Sequence, residues 1–148
     1  MMNKLLLFLS FVFLFSCERK PPYHYVIKNE SGVDIVFIPY ENDQPIVAKK
    51  VMLKNNRFID KRFIASAGHE RLTMDEVLFD HYNEATHIEI VFNNQKKVLY
   101  EGCHIDFQNC LNNPRSIFYY KFNDDYNSIY TVTAEDYQNA VDCNGNCY

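Results

Sequence analysis

The stretch His87-Ile88-Glu89-Ile90-Val91-Phe92, Asn93-Asn94-Gln95, Lys96-Lys97-Val98-Leu99-Tyr100-Glu101 decides the fold. Strand side chains alternate between faces, so Ile88, Ile90 and Phe92 share the inward face and Glu89 is expected outward. Asn93 and Asn94 accept the backbone of a tight turn, and beyond them Val98 and Tyr100 again face one way. This reads as a β-hairpin, and the same period of two recurs through most of the chain.

Upstream, Tyr23 to Lys28 and Val33 to Tyr40 alternate around the turn Asn29-Glu30-Ser31-Gly32 and predict another hairpin, its second strand buried on both faces. A strand around Ile46 to Leu53 carries Lys49 and Lys50, which suit an exposed edge. Arg57 to Ala65 follows, with Phe58 and Phe63 as expected core residues and a bulge near Asp60-Lys61. Leu72 to Phe79 fits either a short helix or a strand after a loop. Downstream, Gly102 to Ser116 reads as a loop holding two cysteines. Ile117 to Phe122 and Ser128 to Val132 read as strands, and Thr133 caps a short helix, Ala134 to Val141, with acids in its first turn.

About eight strands with regular turn signals predict an all-β chain: an antiparallel β-sandwich with a short C-terminal helix, or alternatively an open β-barrel. There is no Trp, so the Cys-Trp-Cys pattern of an immunoglobulin domain is missing.

At the N-terminus a weakly basic head, Met1 to Lys4, precedes an uncharged run, Leu5 to Phe15, too short to span a bilayer. The run ends Leu14-Phe15-Ser16-Cys17, which resembles the lipobox of bacterial lipoproteins. With the Asn-x-Ser-Gly turn at Asn29 to Gly32 and the Tyr-Thr-Val-Thr-x-x-Asp-Tyr ending at Tyr130 to Tyr137, the chain resembles small lipoproteins of the Bacteroidota. The resemblance implies a signal peptide over 1–16, diacylglycerol on the Cys17 sulfur, acylation of the freed amine by a chain such as palmitate, a tether over 17–22 and one domain over 23–148. It implies a cell-envelope location, at the inner or outer membrane, and transfers no catalytic residue.

Removing 1–16 leaves 132 residues, enough for one core. The 14 basic and 19 acidic residues that remain give a net charge of about −5, which argues against nucleic acid or an anionic lipid surface as a partner. Four cysteines besides Cys17, namely Cys103, Cys110, Cys143 and Cys147, read as two disulfides in an exported chain. Three pairings are possible; the turn Asn144-Gly145-Asn146 favours Cys143 with Cys147, and hence Cys103 with Cys110. Their spacing does not fit a four-cysteine zinc site.

No motif carries catalysis, and no metal or cofactor is expected. The five histidines His24, His69, His81, His87 and His104 show no metal-ligand spacing, although His81, His87 and Asp80 could be assembled from separate strands. Ser66, His69 and Asp75 have the residue types of a hydrolase triad without a nucleophile elbow. Adjacent acids at Asp75-Glu76 and Asp124-Asp125 suggest turns or opposite faces. Tyrosine is the more informative residue: of eleven, Tyr119, Tyr126 and Tyr130 are candidates for an exposed patch that binds protein or glycan, since Tyr119 and Tyr120 cannot both face inward from one strand. The resulting expectation is a non-enzymatic binding or structural module anchored through lipid on Cys17. An inhibitor or immunity lipoprotein and a small envelope hydrolase are the alternatives.

Overall fold

The computed structural model describes residues 21–65, 71–82, 84–123 and 126–147, with Asn109 and Asn123 described in backbone only. Cys17 and most of the tether, Ser66, His69 and Asp124-Asp125 lie outside the described residues.

Nine strands run through the described residues. They are β1 (Tyr23–Glu30), β2 (Ile35–Glu41), β3 (Gln44–Pro45), β4 (Val51–Leu53), β5 (Phe58–Phe63), β6 (His87–Phe92), β7 (Lys96–Glu101), β8 (Asn127–Thr133) and β9 (Val141–Asp142). Three short helices accompany them: α1 (Met74–Leu78), α2 (Phe107–Asn112) and α3 (Ala134–Asn139). The larger sheet has the order β3-β2-β6-β7-β9, with β4 also pairing β2, and it curls into a half-barrel. The smaller sheet is β5-β1-β8. The all-β class and two-sheet architecture match the expectation, and β6 and β7 form the expected hairpin, Ile90 opposite Val98 and Ile88 opposite Tyr100. Tyr25 and Ile27 of one sheet and Ile35, Phe37, Ile88, Ile90 and Phe92 of the other are buried in the core between them.

Several local expectations are corrected. The turn at Asn29 to Gly32 joins two sheets and is not a hairpin: β1 pairs β5 and β8, while β2 pairs β4 and β6. Asn29 makes the corner. It is fully buried; its Nδ2 donates to the Val33 and Leu53 carbonyls at 2.8 and 2.9 Å, and its Oδ1 accepts from the Ser31 amide at 3.1 Å and hydroxyl at 2.6 Å. Gly32 sits at φ +89°, a left-handed conformation that side chains disfavour. One strand pair, β1 with β8, is parallel, as a chain returning to its start only after building the other sheet permits.

The segment 46–53 divides into a 3-10 turn, Val47–Lys49, and β4, because the Lys49 and Lys50 amides turn back onto Ile46 and Val47. No bulge interrupts β5, whose register with β1 is continuous, so Phe58 faces out at 62% exposure while Ile59 and Phe63 pack against the core. In place of a strand over Ile117 to Phe122 there are tight turns, with the Tyr119 amide on the Ser116 carbonyl and the Phe122 amide on that of Tyr119. The last helix stops at Asn139, and Val141 and Asp142 pair with β7.

Glu89 does face away from the main core, yet it is buried. The outer face of the half-barrel carries a second apolar cluster, Val36, Ile38 and Val91, onto which Cys147 packs. There the Glu89 carboxylate meets the Lys97 ammonium at 3.0 Å, and Oε1 has no hydrogen-bond partner.

Candidate functional site

The disulfides join Cys103 to Cys110 and Cys143 to Cys147, as the turn at Asn144 to Asn146 favours. The second closes the C-terminal loop, whose Cys143 amide donates to the Gln95 carbonyl and whose Gly145 carbonyl accepts from Asn94. Asn144 and Gly145 both take left-handed backbone there.

The first bridge closes a largely exposed segment. The Gly102 amide donates to the Thr86 carbonyl at 2.8 Å, and the Gly102 carbonyl accepts from the Ile105 and Asp106 amides. A Cβ on Gly102 would sit 3.0 Å from the Thr86 carbonyl oxygen and from the His104 ring, a tighter approach than side chains ordinarily make. From this root, α2 returns the chain to Cys110, which is buried, whereas Cys103 is exposed. Between the two cysteines Ile105 is 46% and Phe107 62% exposed. Large apolar side chains on a cross-linked loop are held out without the freedom to fold back, which lowers the ordering cost of binding.

Beside the root of this loop lies a cavity of about 240 Å³ lined by Thr73 to Glu76, Ala85, Gly102 to His104, Ile117 and Phe118. One wall is α1. Thr73 and Glu76 form a capping box: the Thr73 amide donates to Glu76 Oε2 at 2.7 Å, and the Glu76 amide reaches the Thr73 hydroxyl. Met74, Val77 and Leu78 bury their side chains and Tyr25 donates to the Leu72 carbonyl, so the helix is fixed to the smaller sheet. The Thr-x-x-Glu signature was legible in the sequence and settles the open choice at Leu72 to Phe79 for a helix. The opposite wall is held by Ser116, which is fully buried and accepts from the Phe118 amide through its hydroxyl.

Asp75 lines the cavity at 8% exposure. Burial pushes its pKa above the ordinary carboxylate value, opposed by hydrogen bonds from Thr73 and from the Asp75 and Glu76 amides. Asp75 and Glu76 therefore belong to one helical turn at one cavity. They do not lie on opposite strand faces or in a loop turn.

The other expected site residues are dispersed. Tyr130 is core, 2% exposed, and donates to the Arg115 carbonyl at 3.0 Å; this removes it from any surface patch. Burial raises its pKa well above the usual phenol value. Tyr119 is half-buried, edge-on to Tyr120 and Phe122, and Tyr126 is exposed and stacked on Tyr23 at 4.9 Å. His24 contacts Asp60 at 3.0 Å, His81 sets its ring edge to Phe63, and His87 bonds the Thr86 hydroxyl. Asp80 bonds Lys61, so the proposed grouping with His81 and His87 is not formed around it. Among the described residues no group of histidines, cysteines and acids has metal-binding geometry, and no helix is long and apolar enough to cross a membrane. No family, no characterised protein and no solved structure matches the chain.

Proposed function

We propose that the protein is a lipid-anchored envelope binding module that engages a partner protein through the clamped loop at Cys103 to Cys110. The observation that carries this reading is the pair Ile105 and Phe107, exposed on a segment closed by a disulfide and seated by Gly102 against Thr86. Aromatic and aliphatic anchors of this kind dominate protein interfaces. His104 is the one histidine lining the adjacent cavity among the described residues, so the arrangement supports recognition better than acid–base chemistry. An exposed, cross-linked loop also suits an inhibitor that plugs the cleft of an exported enzyme, and the partner's identity separates this variant from a structural module.

Leu14-Phe15-Ser16-Cys17 supports lipidation. Several acyl chains on Cys17, at about 0.8 kcal/mol per buried methylene, anchor the domain stably without a spanning helix. Labelled palmitate should enter the protein and be lost on Cys17→Ala; labelling that persists in the variant sinks the anchor assignment. The binding reading is tested by pull-down from detergent-solubilised envelope with the wild-type chain and an Ile105→Asp/Phe107→Asp variant as baits. A stoichiometric partner retained by the first and lost by the second is expected. Equal retention by both moves the interface elsewhere, and retention by neither removes the support for a binding module.

A further inference from the structure

The cavity beside the clamped loop has a chemistry of its own. At about 240 Å³ it is smaller than the roughly 300–1,000 Å³ of pockets that take drug-sized ligands, and it suits a single side chain. Its apolar lining comes from Met74, Ala85, Ile117 and Phe118. Among the described residues its charged lining is acidic, Asp75 and Glu76 beside His104, with no lysine or arginine. At the start of α1 the Thr73, Asp75 and Glu76 amides are engaged by Thr73, Asp75 and Glu76 side-chain oxygens, so the carboxylates on this wall favour a cation over an anion. Burial raises the pKa of Asp75, and an entering cation would offset that desolvation.

Building on the partner-binding reading above, we propose that this cavity receives a primary ammonium on a short alkyl stem, namely a lysine side chain of the partner that the clamped loop docks. The stem lies against Met74, Ala85, Ile117 and Phe118, and the ammonium donates to Asp75 and Glu76. Ile105 and Phe107 then supply contact area beside a single charged anchor, and Asp75 selects the anchor's sign.

Butylammonium is the minimal probe. Titrated into the full-length isotope-labelled protein in nonionic detergent, it should shift the amide resonances of Thr73 to Glu76, Gly102 to His104, Ile117 and Phe118. Butyrate and butanol should bind at least tenfold more weakly, because neither makes charge-assisted bonds to the carboxylates. Asp75→Asn should weaken butylammonium binding about tenfold, and Ala85→Leu, which fills the cavity and leaves the charges in place, should abolish it. Butyrate or butanol binding as tightly as the amine, or resonance shifts confined to other residues, overturns the proposal. So does butylammonium binding that both variants leave unchanged. If butylammonium fails to bind while the pull-down partner is still captured through Ile105 and Phe107, only the cavity assignment falls. If it binds as described but no partner is captured, the partner-binding reading falls.

Discussion

Replacing Asn29 with Ala should cost about 3 kcal/mol of folding stability. Asn29 makes four side-chain hydrogen bonds: two donated to the Val33 and Leu53 carbonyls, and two accepted from the Ser31 amide and hydroxyl. A buried neutral hydrogen bond contributes about 1 kcal/mol net, and more is lost when its partners stay buried and unpaired. The total is held near 3 because the Ser31 hydroxyl keeps a second acceptor, the Val33 carbonyl at 3.0 Å, and water can enter the vacated space. The assay is urea unfolding with both disulfides oxidised, where the midpoint should fall at unchanged slope. Asn29→Asp keeps the acceptor for Ser31 but turns a carboxylate oxygen toward two carbonyls, so it should cost at least as much as Ala at neutral pH. Asn55→Ala is the control: Asn55 accepts from the Gly32 amide at an exposed position, and its loss should cost under about 0.5 kcal/mol. A cost below about 1 kcal/mol for Asn29→Ala would refute the claim that this side chain holds the corner between the sheets.

Arg115→Ala should destabilise by about 2 kcal/mol in the same assay. It strands the buried Asp136 carboxylate and removes the bonds to Thr133 and Thr131, and the 42% exposure of the arginine holds the loss below that of a fully buried pair. Arg115→Lys should recover less than half of it, since the bidentate fork is gone; full recovery would show that charge alone matters. Asp75 has a folded pKa above its unfolded value of about 3.9, so its contribution to stability is most favourable at low pH and declines as pH rises through that window. Asp75→Asn should therefore gain stability relative to wild type between pH 4 and neutrality, and a difference that stays constant across that range contradicts the sign. Gly102→Ala should cost about 1–3 kcal/mol, because the new methyl meets the Thr86 carbonyl at 3.0 Å and backbone cannot yield cheaply. A neutral effect on the unfolding midpoint would mean that the root of the loop is not tightly seated.

Much of this architecture was legible residue by residue. Alternation at Ile88, Ile90 and Phe92 located β6, Asn93 and Asn94 located its turn, and both take left-handed backbone. Thr133 with Asp136 marked the start of α3, and Asn144-Gly145-Asn146 marked the bridge from Cys143 to Cys147. The capping box at Thr73 and Glu76 was present in the sequence as well. Alternation could not say which strands pair, so Asn29 to Gly32 read as a hairpin turn although it links two sheets. Nor could it distinguish the face of a core strand from that of a surface strand. Glu89 is buried on a face that carries a second apolar cluster, onto which Cys147, more than fifty residues later, packs, and Phe58 is exposed because β5 presents that face to solvent. Tyr130 resembled its neighbours Tyr119 and Tyr126 by composition, and only its place in β8 sends it into the core.

By itself, the sequence determined what short-range sterics and local hydrogen bonding control: strand periodicity, turn positions, helix caps, and a disulfide short enough to close over one turn. The tertiary structure alone decided the two-sheet partition, the parallel pairing of β1 with β8, and the cavity drawn from residues 73–76, 85, 102–104 and 117–118. Those depend on which apolar faces exclude water together. That is a free energy shared among distant segments and carried by no one of them.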